Sequence, residues 1–146
     1  MERFKLISAV HVFLIRDSQV LLLRRFHTGY EDGNYSVPAG HIDGGESVKS
    51  AAIREVEEEC SIRIASENLQ GVGVMHRRSR DERIDFFLMT SRWEGAISNA
   101  EPDKCDDLSW FPLWQLPDNI IPYVKYALAN YQQGNWFMEY GWEQSK

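Results

Sequence analysis

Two kinds of hydrophobic spacing alternate along the chain. Residues 6–15, "LISAVHVFLI", and 20–26, "VLLLRRF", are β-rich apolar runs, and the polar "RDSQ" between them predicts a hairpin turn over 16–19. "NYSVPAG" is a short extended piece that ends in Pro38 and Gly40 and leads into the loop "GHIDGGE". The period then changes. Val48, Ala52, Val56 and Cys60 recur at every fourth position, Ala51 and Ile53 broaden the stripe, and Ser47 can cap its start, so a helix is expected over 47–60. "LQGVGVMHR" and "RIDFFLMTSRW" read as strands, and the near-continuous apolar "IDFFLM" suggests one covered on both faces. "DLSWFPL" is a shorter strand ending at Pro112, and "PLWQLP" a single turn. "IIPYVKYALANYQQ" places apolar residues at helical spacing over 120–133, with Gly134 as the stop. The order β-β-β-α-β-β-β-α describes an α/β (α+β) chain, a mixed sheet with helices packed on it.

Composition narrows the class. With 146 residues, 43% hydrophobic and 12% aromatic, the chain fits one domain over 1–146, and no repeat or linker-like run divides it. A net charge of -6 argues against binding a nucleic-acid polymer or an anionic membrane through bulk charge. A small anionic ligand would need a cation or a local arginine cluster. No apolar run approaches the roughly 18 residues of a membrane span, and "MERFKLISAV" lacks the apolar core of a secretory signal, so a cytoplasmic location is expected. Cys60 and Cys105 have neither zinc-like nor disulfide-framework spacing and read as reduced thiols.

The expected helix over 47–60 carries an electrostatic oddity. Glu55 and Glu59 are four apart and Glu58 is three from Glu55, so the helix brings like charges together at a cost of a few tenths of a kcal/mol per pair. Glu55 and Glu59 each precede a stripe residue, Val56 and Cys60, and so lie at the border of the buried face rather than opposite it. Hard cations such as Mg²⁺ take one or two such carboxylates plus waters and substrate phosphates. Arg54 can reach Glu58 one turn on. Taken alone, "EVEEE" is better read as a solvated acidic face, since charge runs usually lie on the surface.

The register of the whole stretch favours the cation. Gly40, five residues, Glu46, seven residues, Arg54-Glu55-Val56, one residue, Glu58-Glu59, one residue, then Ser61-Ile62 resembles the Nudix hydrolase signature G-x5-E-x7-R-E-U-x-E-E-x-G-U, where U is bulky and aliphatic. Ser61 is the one departure. It falls just past the helix, where a left-handed residue is a common stop, and leaves every carboxylate in place. The resemblance implies the Nudix fold, an α/β/α sandwich around a central mixed sheet. It also implies hydrolysis of a pyrophosphate bond in a nucleoside diphosphate derivative, with Mg²⁺ as cofactor and Mn²⁺ able to substitute. Under it Glu55, Glu59 and Glu58 are metal ligands, with the main chain near Ala39 or Gly40 adding a carbonyl. Glu58 and Glu55 would serve the catalytic step. Arg54 would orient a glutamate, and Glu46 would support the loop or act as a general base.

Further features bear on substrate. "EPDKCDDLSWFPLWQLP" and the "GH" at 40–41 resemble the MutT-like branch of nucleoside triphosphate pyrophosphatases, which points to a nucleotide small molecule as partner. A base needs an aromatic face and polar groups at its edge. Trp110, Trp114 and Tyr123 are candidates for stacking, Asp106 or Asp107 for accepting hydrogen bonds, and His41 for touching phosphate. Glu101 is a candidate extra metal ligand, and the arginines of "MHRRSRDER" candidate phosphate contacts. His11, His27 and His76 share no metal-ligand spacing and are expected to be structural. The aromatic tail "NWFMEYGW" should pack back on the domain or on a partner subunit, and homodimers occur in the family. The alternatives are the same chemistry on a nucleotide sugar or dinucleotide, and a non-catalytic nucleotide sensor.

Overall fold

In the computed structural model, which describes residues 1–142, the two amino-terminal apolar runs form β1 (Ile7–Arg16) and β2 (Gln19–Arg25). Their side chains alternate between two buried faces. Val10, Val12 and Leu14 join Leu21 and Leu23 on one side, while Phe13 and Ile15 join Val20 and Leu22 on the other. A strand covered on both faces has no polar phase, which explains the unbroken apolar runs. The turn between them uses Asp17 and Ser18 at φ 55° and 62°, the paired left-handed residues of a tight hairpin.

The remaining elements follow the expected order with two additions. "NYSVPAG" divides into β3 (Tyr35–Ser36) and β4 (Ala39–His41), which pair with β2 and β1 respectively. Pro38 lies between them and has no N–H to offer a ladder. Then come α1 (Val48–Cys60), a 3-10 turn at Ser66–Asn68, β5 (Gln70–Arg78), β6 (Glu82–Thr90), β7 (Cys105–Pro112), α2 (Pro122–Gln133) and β8 (Phe137–Tyr140). The sheet runs β3-β2-β1-β6-β5-β8, with β4 beside β1 and β7 beside β2. β1 lies parallel to β6 and β5 parallel to β8, and the other pairs are antiparallel. The sheet is therefore mixed, as the element order predicts.

Each helix covers one face. Ala51, Ala52, Val56 and Cys60 of α1 pack on the side of Val10, Val12 and Leu21, and Tyr123, Val124, Ala127 and Leu128 of α2 on the side of Phe13 and Leu22. The result is the α/β/α sandwich. The aromatic tail does fold back: β8 adds to the sheet edge, Met138 is buried, and Trp142 Nε1 donates to the His76 carbonyl at 3.0 Å. Trp136 and Phe137 nevertheless stay 62% and 59% exposed.

The α2 side encloses a polar cluster. His11 Nε2 lies 2.9 Å from the Tyr123 hydroxyl, Arg77 donates to Asp85 at 2.6 and 3.3 Å, and the Arg77 guanidinium sits 3.7 Å over the Tyr123 ring. Two sequence expectations are corrected here. Tyr123 spends its ring on the core rather than on a base, and Arg77 neutralises a buried aspartate instead of meeting phosphate. Arg83 of the same hairpin pairs with Asp81 at 2.9 Å.

Two predictions arise from these elements. Ser61 stops α1 at φ 62°, ψ 28°, with its N–H on the Glu57 carbonyl, so a side chain occupies a left-handed position that glycine takes without strain. Ser61→Gly is expected to stabilise the fold by on the order of 0.5–1 kcal/mol, and calorimetry should show a melting temperature raised by a few degrees. Burial lowers the His11 pKa to about 4, below its ordinary 6.5. The unfolded chain then binds the proton more readily, so stability falls as pH drops from 6.5 towards 4 and levels off below that. Urea unfolding at pH 7.5 and pH 5 should show a loss about 2 kcal/mol larger in the parent than in His11→Asn.

Candidate active site

The helix α1 begins at a built cap and ends against the cleft. Ser47 caps its first turn by accepting from Ser50 N at 3.1 Å. Immediately before it, Glu46 Oε1 accepts from Asp43 N at 2.8 Å and so closes the glycine loop. Arg54 grips Glu46 with two bonds, Nε to Oε2 at 3.0 Å and Nη2 to Oε1 at 2.7 Å. The same guanidinium reaches Glu55 Oε2 at 2.9 Å, the His41 carbonyl at 3.2 Å and Glu58 Oε1 at 3.6 Å. The expected Arg54–Glu58 pair thus exists, but the two-pronged bond goes to Glu46. That bond holds the Glu46 carboxyl below the usual carboxylate range, helped by Asp43 N.

Glu55 and Glu59 face inward from this anchor. Glu55 is 14% exposed, whereas Glu58 is 51% exposed at the mouth of the cleft. Glu59 Oε1 accepts from Ala39 N at 3.3 Å. Burial pushes the Glu59 carboxyl well above its ordinary range, and the charges of Glu55 and Glu101 push it further. Glu55 is raised as well, chiefly by burial, with Arg54 opposing. Gly40 is pressed against this pair: a β-carbon there would land inside the Glu55 carboxylate.

Together Glu55, Glu58, Glu59 and Glu101 line a cavity of about 520 Å³. The donor set consists of hard oxygens with more negative charge than Arg54 can neutralise, which fits Mg²⁺ or Mn²⁺ and not a thiolate-seeking metal. Among the described residues no three acidic, histidine or cysteine groups already converge on one point. An arrangement of that kind suits a cation that keeps waters and substrate oxygens in its shell.

The same cavity has a basic lining that went unnoticed in the sequence. Arg24, Arg25, His27, Thr28 and Lys104 contribute to it, with Leu23, Val37 and Cys105 as its apolar part. The signal available was the polar "RRFHT" following directly on an apolar strand. His27 is therefore not merely structural in position, whereas His11 is buried in the core and His76 lies under Trp142.

Other expected substrate contacts lie elsewhere. Trp110 stacks on Trp93 at 6.2 Å under the Arg16 guanidinium, outside the cleft. Asp106 accepts from Arg24 at 2.7 Å, and Asp107 is taken up by Tyr35 and Ser109. His41 Nε2 lies 3.3 Å from Arg83 and lines a separate shallow depression with Leu6 and Ile7. Trp114 is exposed to solvent. As base-stacking or phosphate groups of this cavity, Trp110, Asp106, Tyr123 and His41 are displaced by strand register and by partners of their own.

The tight approach at Gly40 yields a test. Gly40→Ala should weaken Mn²⁺ binding by about tenfold in titration calorimetry, because it moves a carboxylate. Since Glu55 is a flexible side chain that can swing aside, the melting temperature should change by only a few degrees.

Comparison with known proteins agrees with this geometry. Residues 5–131 match the NUDIX domain family model. An NAD-capped RNA hydrolase NudC of Pseudomonas aeruginosa is 31% identical over 116 residues, covering 77% of this chain but only 38% of the relative, so the chain spans well under half the length of that protein. A putative 8-oxo-dGTP diphosphatase of Bacillus subtilis is 28% identical over 128 residues, covering 87% of this chain and 80% of the relative. Among solved structures, a MutT NUDIX hydrolase from Burkholderia pseudomallei superposes with a TM-score of 0.79 at 25% identity, covering 86% of this chain and 98% of the other. With the signature register, the mixed-sheet sandwich and the family match in agreement, the chain belongs to the Nudix family.

Proposed function

We propose that the protein is a divalent-metal-dependent pyrophosphohydrolase that cleaves nucleoside triphosphates to a monophosphate and pyrophosphate. The observation that carries this reading is the mixed lining of the cleft, where Glu55, Glu58, Glu59 and Glu101 share one cavity with Arg24, Arg25, His27 and Lys104. An anionic chain bound there meets both a cation held by carboxylates and the fixed positive charge of Arg24, Arg25 and Lys104.

In this reading Glu55 and Glu59 hold the metal and Glu58, at the mouth, shares it. When bound, the cation supplies charge neutralisation at the diphosphate oxygens and an acidified water. Arg54 fixes the Glu55 carboxylate against its neighbours. Both Glu46 oxygens are engaged, by Arg54 and by Asp43 N, so Glu46 acts as a positioning group rather than as the general base. Glu59 takes its orientation from Ala39 N, and Gly40 leaves the space that Glu55 occupies. Leu23 and Val37 add apolar surface to the cavity lining.

The second reading, hydrolysis of a dinucleotide, is favoured by the likeness to NudC, an NAD-capped RNA hydrolase. A panel of dGTP, dCTP, modified triphosphates, ADP-ribose, NAD and GDP-mannose with Mg²⁺ and with Mn²⁺ separates the two by kcat/KM. Triphosphates should turn over best, with pyrophosphate as the second product by phosphorus NMR. Turnover confined to ADP-ribose, NAD or GDP-mannose would overturn the triphosphate assignment. Glu59→Gln should remove nearly all activity while circular dichroism stays that of the parent; activity within tenfold of the parent would refute its role as a metal ligand.

A further inference from the structure

Most basic side chains lining the cavity already have partners. Arg24 is bonded to Asp106 at 2.7 Å. Arg25 donates to the Tyr30 carbonyl at 2.6 Å and to Thr28 Oγ1 at 3.0 Å. His27 is stacked on Phe26 with ring centroids 3.7 Å apart. Lys104 differs: among the described residues it takes part in no ion pair, although it lines the same cavity as four glutamates.

Its backbone is fixed on several sides. Lys104 N donates to the Glu101 carbonyl at 2.9 Å, and its own carbonyl accepts from Phe26 N at 2.9 Å, tying the turn to the end of β2. Asn99 staples the same turn, donating to the Cys105 carbonyl at 2.7 Å and accepting from Glu101 N at 3.1 Å. Ala100 N donates to the Glu59 carbonyl and Ser98 N to the Cys60 carbonyl, joining the turn to the end of the glutamate helix. The Lys104 ammonium is thus carried by a turn bound both to the end of β2 and to the end of α1.

We propose that Lys104 binds the terminal phosphate of a nucleoside triphosphate and sets the preference for triphosphates over diphosphates; this rests on the pyrophosphohydrolase reading above. A terminal phosphate carries close to two negative charges, and in a triphosphate it lies one phosphate beyond the bond to be cleaved, a position that a diphosphate leaves empty. The carboxylates with their cation serve the bond to be cleaved, and an end group beyond it needs a positive charge of its own. Lysine is suited to that task as a compact point charge with three donors.

The test uses the full chain and two non-hydrolysable ligands, the α,β-methylene analogues of one nucleoside triphosphate and of its diphosphate, titrated calorimetrically with Mg²⁺. The parent should favour the triphosphate by about 10- to 100-fold. Lys104→Gln should collapse that ratio to about threefold or less, and Lys104→Arg should retain most of it. Because Lys104 is exposed, both variants are expected to melt within a few degrees of the parent. A parent that binds both analogues equally, or a Lys104→Gln ratio equal to the parent's, overturns the proposal. Turnover of the unmodified nucleotides by the parent judges the other reading independently. A Lys104-dependent ratio without cleavage sinks the hydrolase assignment and keeps Lys104, and cleavage with a Lys104-independent ratio does the reverse.

Discussion

Arg54 is the group on which the site rests. One guanidinium contacts Glu46, Glu55 and Glu58 and donates to the His41 carbonyl, so loop, helix start and helix middle meet at a single cation. Five donors in a rigid plane make this possible, and a lysine could satisfy only part of it. Without that charge, three carboxylates within two turns of helix would repel one another at the edge of an apolar core. With it, the remaining negative charge is concentrated on Glu55 and Glu59, where burial raises the cost of leaving it uncompensated. The architecture creates an electrostatic deficit and leaves a cation and an anionic ligand to fill it.

The sandwich determines where the deficit opens. β2 and β7 pair so that Arg25 stands opposite Cys105 and Leu21 opposite Trp110. The cleft forms at the Arg25 end, which draws in Arg24, His27 and Lys104 and leaves Trp110 beside Trp93. A slip of one residue in that ladder would exchange the faces of every side chain on β7.

This register separates what could be read in the sequence from what could not. The glutamate helix was legible because its chemistry is local: Ser47, Arg54, Glu55, Glu58 and Glu59 are related by helical spacing, and spacing is visible in one dimension. Both helices and the central strands follow from their periods for the same reason. The left-handed stop at Ser61 was also local, since only a residue just past a helix meets that demand. Tyr123 and Trp110 were misplaced because aromatic character does not say which layer a side chain enters. Tyr123 belongs to the face that also holds His11, Arg77 and Asp85, a cluster assembled from four elements that no sequence window contains. The basic lining is non-local in the same way, joining the end of β2 to a turn some eighty residues later. The split of "NYSVPAG" and the strand made by the tail were missed because two- to four-residue strands depend on a neighbour's edge more than on their own propensity.

The connection between β6 and β7 has one more consequence. It runs from Thr90 to Cys105 with almost no regular structure, and by length alone it would be the natural place to insert residues or graft a new specificity. Yet Glu94 exchanges two backbone bonds with Arg63, and the amides of Ser98 and Ala100 close the last carbonyls of α1. These bonds make the connection the helix's own C-terminal cap, supplied from about forty residues away. For protein engineering it is a structural part and not a tolerant loop: a change in its length would fray the end of α1, and with it the backbone that carries Glu59.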